Sequence, residues 1–226
     1  MEKAYKLLSD SGSKLFVAIA GNIGCGKTTL TQKLGDRLGW KPIFESVEDN
    51  PYLADFYKDM EKYSFPLQVY FLTHRFNGHR EIETSHFSSV QDRTIYEDAH
   101  IFARALYESG KMSQRDYKNY IDLYGTMSDY LNPPSLMVFL RRSVDGLMNR
   151  IAQRGRSCEQ SMSREYIAQL NTYYDEWYAG YNLGKYVIID TEDLDFLNNE
   201  DHFNGLVKVI YDSIDQKDFF LENRIH

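Results

Sequence analysis

The chain has little cysteine, no surplus of basic charge and no long apolar run, and each shortage removes a class of function. Its two cysteines, Cys25 and Cys158, build neither a zinc site nor a disulfide framework and fit a reducing compartment. Lysine and arginine total 26 against 33 acidic residues, a formal net charge of -7. That balance argues against binding nucleic acid or an anionic membrane surface, because phosphate-rich partners attract basic faces. The apolar runs are only strand-sized, so no membrane span is expected. The opening residues, Met1-Glu2-Lys3-Ala4-Tyr5-Lys6, hold no apolar stretch of the secretory kind. The expectation is a soluble cytoplasmic protein. No internal repeat, low-complexity tract or proline- and glycine-rich linker divides the 226 residues, so a single domain, 1–226, is expected.

What is present is a complete phosphate-binding loop. Gly21-Asn22-Ile23-Gly24-Cys25-Gly26-Lys27-Thr28 has the form G-x-x-x-x-G-K-[ST], followed by Thr29. Before it, residues 15–20 are an apolar run suited to a buried parallel strand. After it, Leu30, Leu34 and Leu38 recur at four-residue spacing on one helical face. Glycines let backbone N–H groups approach phosphates, and the helix start adds a favourable partial charge. Lys27 would reach the β- and γ-phosphates of a nucleotide such as ATP, and the Thr28 hydroxyl would coordinate Mg2+. Cys25 reads as a small filler of the loop.

Short apolar strands alternating with helices imply an α/β fold, a five-stranded parallel sheet flanked by helices. The strands are expected at 14–20, 42–46, 87–91, 136–141 and 186–190. Helices are expected at about 27–39, 51–62, 65–82, 94–109, 113–131, 144–154 and 163–179. Pro66 suits a first turn behind a Ser64 cap, and Pro133-Pro134 ends the helix before the fourth strand. Ligands in such sheets collect at the carboxyl ends of the strands.

The candidate chemistry sits there. Glu45 closes the second strand and could accept a proton from an acceptor hydroxyl, though a lone strand-end acid is also an ordinary solvated residue. Asp92 and Arg93 close the third strand. The acid could support Mg2+, and the guanidinium could orient Glu45 and stabilise phosphate charge, against the plainer reading of a surface ion pair. Arg150, Arg154 and Arg156 concentrate cationic charge in an acidic protein, either as a lid over phosphates at about 150–162 or as a solvated helix face. Gln68 and Arg75, seven apart on one helix, face the same way. A base edge could satisfy the amide, or the core could, and Asp98 could pair with Arg75.

Taken together, these residues resemble the deoxyribonucleoside kinase family over most of the chain. The resemblance rests on the loop at Gly21, on Glu45, on Asp92-Arg93-Thr94, on Gln68 within Phe65-Pro66-Leu67-Gln68-Val69-Tyr70, and on the arginines followed by Glu159. It implies a P-loop kinase fold with an arginine-rich lid, and an ATP- and Mg2+-dependent 5′-kinase with Glu45 as the catalytic carboxylate. It further implies that Tyr57 and Glu159 bind the sugar 3′-hydroxyl, that Phe102 stacks on the base, and that the enzyme is a homodimer. Arg75 and Asp98 occupy the positions of family members that accept deoxyadenosine, deoxyguanosine or deoxycytidine. Glu48-Asp49-Asn50-Pro51-Tyr52 resembles the bacterial deoxyadenosine/deoxyguanosine kinase branch. Ser46 stands where the family usually has proline, and Cys158 where the lid usually has a glutamate. A thymidylate kinase shares several of these motifs, but Glu45 would repel a monophosphate acceptor. A non-catalytic relative with the same fold and a regulatory GTPase are the remaining alternatives.

Overall fold

A computed structural model describes residues 14–44, 50–156 and 162–215, together with the backbone of 220–223. Strand β1, Phe16–Gly21, is buried at every position. Val17 and Ile19 enter one apolar cluster while Phe16, Ala18 and Ala20 enter another, so both faces of the strand are covered. A strand covered on both faces needs an unbroken apolar run, which is what residues 16–20 supply.

The sheet runs in the order β2 (Lys41–Ile43), β3 (Ser89–Asp92), β1, β4 (Leu136–Arg141), β5 (Tyr186–Asp190), β6 (Phe220–Asn223). Every neighbouring pair is parallel. The five expected strands are all present, and β6 extends the sheet past β5. β6 is short and lacks the longer apolar run that marks the central strands. The chain leaves β1 to one side for β2 and β3 and to the other for β4, β5 and β6. The switch point therefore lies at the carboxyl end of β1, where Gly21 emerges beside Asp92.

Helix α1, Lys27–Leu38, seats Leu30 and Leu34 fully in the core, each contributing about 2 kcal/mol of burial. Next come α2, Leu53–Lys58, and α3, Met60–Thr84. The boundary between them differs from the sequence expectation. Asp59 breaks the chain between the helices and caps α3 by accepting from Lys62 N at 3.1 Å. Pro66 thus lies inside α3 rather than in its first turn, and the Ser64 hydroxyl bonds back to Met60 O rather than capping. A carboxylate one turn upstream is an effective cap, and proline near the start of a helix removes only one ladder bond.

The helical stretch α4 comprises Ile95–Glu97, a π-helical turn at Asp98–Ala103, and Arg104–Glu108. It is followed by α5 (Gln114–Ser128), α6 (Val144–Arg154), α7 (Arg164–Gly180) and α8 (Glu200–Asp215). The expected helices up to residue 179 are found with shifted ends, whereas α8 was not anticipated. Phe203, Leu206, Val207 and Ile210 give α8 a buried stripe at helical spacing. No helix of the described residues is long and apolar enough to cross a membrane.

Candidate active site

The phosphate loop is held open by glycines that nothing larger could replace. Gly21 and Gly26 take φ values of +147° and +101°. A Cβ on Gly21 would stand 2.6 Å from Leu140 O, and one on Gly26 would stand 2.7 Å from the Phe196 ring. Cys25 packs fully buried beneath Gly21, and burial pushes its thiol pKa up, away from a reactive thiolate. Lys27 Nζ donates to Gly21 O at 2.8 Å and Asn22 O at 3.0 Å.

Asn22 is directed away from the loop opening. Its Nδ2 donates to Asn171 Oδ1 at 2.7 Å and Ile167 O at 3.0 Å, both on α7, and its Oδ1 accepts from Ile23 N at 2.7 Å. The side chain fastens the loop to α7, leaving only the Asn22 backbone to face a phosphate.

The Thr28 hydroxyl donates to Asp92 Oδ2 at 2.5 Å, so the loop and the end of β3 meet directly. Asp92 is buried, and its Oδ1 has no hydrogen-bond partner among the described residues. A hydroxyl beside an unsatisfied carboxylate oxygen is the hard-oxygen set that Mg2+ prefers, with phosphate and water completing the shell. Arg93 follows at φ +68°, a left-handed conformation that costs a non-glycine residue about 1–2 kcal/mol. Its backbone N–H donates to Ile19 O at 3.0 Å, and its guanidinium lies 4.3 Å from the centre of the Phe102 ring.

One cavity of about 170 Å³ gathers residues from several parts of the chain. The loop contributes Ile23, Gly24, Lys27 and Thr28, and β3 contributes Asp92 and Arg93. Tyr57 comes from α2, Gln68 and Arg75 from α3, Asp98 and Phe102 from the π turn of α4, and Tyr166 from α7. Arg154 and Arg156 also line it. Arg75 and Asp98 form an ion pair, 7% and 1% exposed. Gln68 is 5% exposed; its Oε1, like Asp98 Oδ2, has no hydrogen-bond partner among the described residues. Buried acceptors of this kind are normally satisfied, so their convergence on a cavity marks a place for a ligand with donors. Burial pushes the Tyr166 hydroxyl up to about 12, so it stays a neutral donor.

A second cavity of about 690 Å³ lies on the other side of the loop, sharing Gly24, Lys27, Thr28 and Arg154 with the first. It adds Gly26, Thr29, Arg142, Arg150 and residues 192–198. Arg150 donates to Leu194 O at 2.9 Å and lies 5.7 Å from the centre of the Phe196 ring. The three arginines are therefore distributed: Arg150 faces the second cavity, Arg156 the first, and Arg154 both. Two expected residues, Glu45 and Glu159, lie outside the described residues, as do Ser46, Cys158 and 157–161 of the expected lid.

Sequence reasoning missed several contributors, Tyr166 and Arg142 among them. Residues 192–198 carry no motif and join the site only through the fold. Asn171 and Glu97 act through bonds to loop residues far away in sequence. Glu97 alone left a local trace, the Thr94-x-x-Glu97 spacing of a capping box, which the structure contains.

Residues 17–215 match the family model described as deoxynucleoside kinase. The chain belongs to the deoxynucleoside kinase family. It is thus a member of a family of phosphotransferases that act on deoxynucleosides with a nucleotide donor. It is 41% identical over 196 residues to a deoxyadenosine/deoxycytidine kinase from Bacillus subtilis, covering 86% of this chain and 90% of the relative. A deoxyadenosine kinase from Dictyostelium discoideum is 40% identical over 199 residues, covering 88% of this chain and 80% of the relative. Among solved structures, the deoxyadenosine kinase from M. mycoides with bound dATP superposes with a TM-score of 0.75 at 32% identity. That match covers 87% of this chain and 98% of the other. This deoxynucleoside kinase family member therefore has its loop, strand-end acid and arginine, and polar α3 face assembled on the expected fold.

Proposed function

We propose that the protein transfers the γ-phosphate of ATP to the 5′-hydroxyl of a deoxynucleoside, with deoxyadenosine preferred and deoxyguanosine or deoxycytidine as further acceptors. One observation carries this reading. Gln68 and the Arg75–Asp98 pair share a cavity with Lys27, Thr28, Asp92 and Arg93. Base-reading groups and phosphate-handling groups thus open on the same space. The relatives named for deoxyadenosine support the choice of base.

In this mechanism Glu45, two residues beyond β2, accepts the proton of the 5′-hydroxyl as that oxygen attacks phosphorus. Arg93 holds Glu45 in position and, with Lys27 and the arginines at 150, 154 and 156, offsets charge on the transferred group. Thr28 and Asp92 would hold Mg2+, which when bound neutralises the phosphates. Tyr57 and Glu159 bind the 3′-hydroxyl, Phe102 stacks on the base, and Gln68 bonds its edge. A homodimer acting in the cytoplasm completes the reading.

The test is a substrate panel with ATP and Mg2+: four deoxynucleosides and thymidine monophosphate, compared by kcat/KM. Deoxyadenosine should lead. A preference for thymidine would overturn the base assignment, and a preference for the monophosphate would overturn the 5′-kinase reading itself.

A further inference from the structure

Strands β1 and β3 stay hydrogen-bonded up to the pair Ile19 and Asp92. Beyond it the two chains part, one into the phosphate loop at Gly21 and the other into α4 at Thr94. Parting strands leave buried N–H groups without ladder carbonyls, and each then needs another acceptor. Glu97, fully buried, stands in that gap. Its Oε1 accepts from Gly21 N at 3.3 Å and its Oε2 from Thr94 N at 3.0 Å. The Tyr174 hydroxyl on α7 donates to Oε1 at 2.6 Å. Capping α4 requires only the Thr94 bond. The reach to Gly21, 76 residues away in sequence, is not a capping requirement.

We infer that Glu97 is a positioning residue, a side-chain rung that fixes the phosphate loop against the Asp92–Arg93 strand end. This inference rests on the phosphoryl-transfer reading above. Gly21 is also the residue whose carbonyl accepts from Lys27 Nζ, so anchoring its N–H orients the peptide chain from which the lysine hangs. The spacing between Lys27 and Arg93 then follows from one carboxylate, and misplacement at this scale is costly in turnover.

The decisive variant is Glu97→Gln, which keeps size but has one acceptor oxygen where two are used, so one backbone N–H loses its partner. Its kcat should fall by about tenfold or more, while KM for deoxyadenosine stays within about threefold of the parent. Tyr174→Phe retains both backbone bonds and should keep most of the turnover. Hydrogen exchange gives a readout independent of activity. The Gly21 amide should be protected in the parent enzyme and exchange faster in Glu97→Gln. A folded Glu97→Gln with parental kcat overturns the inference, as does a Tyr174→Phe variant that reproduces the whole loss. Should Glu97→Gln not fold, an unprotected Gly21 amide in the parent overturns it alone. A parent enzyme that phosphorylates no deoxynucleoside defeats the phosphoryl-transfer reading instead, and Gly21 exchange still decides the anchoring.

Discussion

Thr28 donates its hydroxyl hydrogen to Asp92 at 2.5 Å, joining the first residues of α1 to the last residue of β3. The two motifs are 64 residues apart, and this bond is where they become one site. The acid's other oxygen is buried without a partner among the described residues, which supports the proposal that this pair takes Mg2+.

Asp92→Asn should therefore raise the Mg2+ concentration needed for half-maximal rate and lower kcat by about tenfold to a hundredfold. Thr28→Ser, which keeps the hydroxyl, should retain most of the activity. Mg2+ titrations of initial rate check both. An unchanged Mg2+ requirement in Asp92→Asn would remove Asp92 from the metal assignment.

Arg75 and Asp98 are buried together, so removing Asp98 takes a carboxylate away from a buried guanidinium. Asp98→Ala alone should destabilise the fold by about 3 kcal/mol in urea unfolding. Arg75→Met combined with Asp98→Ala removes both charges, should restore much of that stability, and should shift relative kcat/KM toward thymidine. Unchanged substrate ratios in the double variant would count against the base corner.

At Gly26, a methyl group meets both a positive φ and the Phe196 ring. Gly26→Ala should distort the loop and raise KM for ATP by about tenfold or more, with stability lowered by about 1–2 kcal/mol. Because Phe196 lines the second cavity, the KM for the deoxynucleoside should move less. A bisubstrate kinetic analysis separates the two.

One buried histidine makes stability depend on pH. Burial lowers the pKa of His79 from its ordinary 6.5, against the opposing bond to Asn132 O. The unfolded chain then binds more protons below pH 6.5 than the folded one, so stability rises with pH in that window. As pH falls, the loss begins near 6.5 and ends once the folded-state pKa of His79 is passed. Urea midpoints between about pH 7 and pH 5 should show it, and His79→Gln should flatten the slope.

Much of this was readable from residue order because it is local. The loop, the strand-end Asp92-Arg93 and the seven-residue spacing of Gln68 and Arg75 each lie within one element, and the structure gathers them on one cavity. The Arg75–Asp98 pair was also anticipated, from the place of Asp98 six residues past the strand-end Asp92. What stayed hidden depends on chain folding over long distances. Asn22 looks like a loop residue until α7, 149 residues on, supplies Asn171. The π turn at Asp98–Ala103 leaves no mark in apolar periodicity, yet it carries both Asp98 and Phe102 to the cavity. Pro66 misled the boundary of α3 because Asp59 provides a cap the proline rule does not consider.

The phosphate loop is a partition with a cavity on each face, and Gly24, Lys27, Thr28 and Arg154 belong to both. On the phosphoryl-transfer reading, these shared residues let donor and acceptor sit on either side of one loop. That reading predicts that both substrates are seated at once and that the group crosses in a single in-line displacement. The expected outcomes are intersecting rather than parallel double-reciprocal lines, and one inversion of configuration when the donor phosphorus is made chiral.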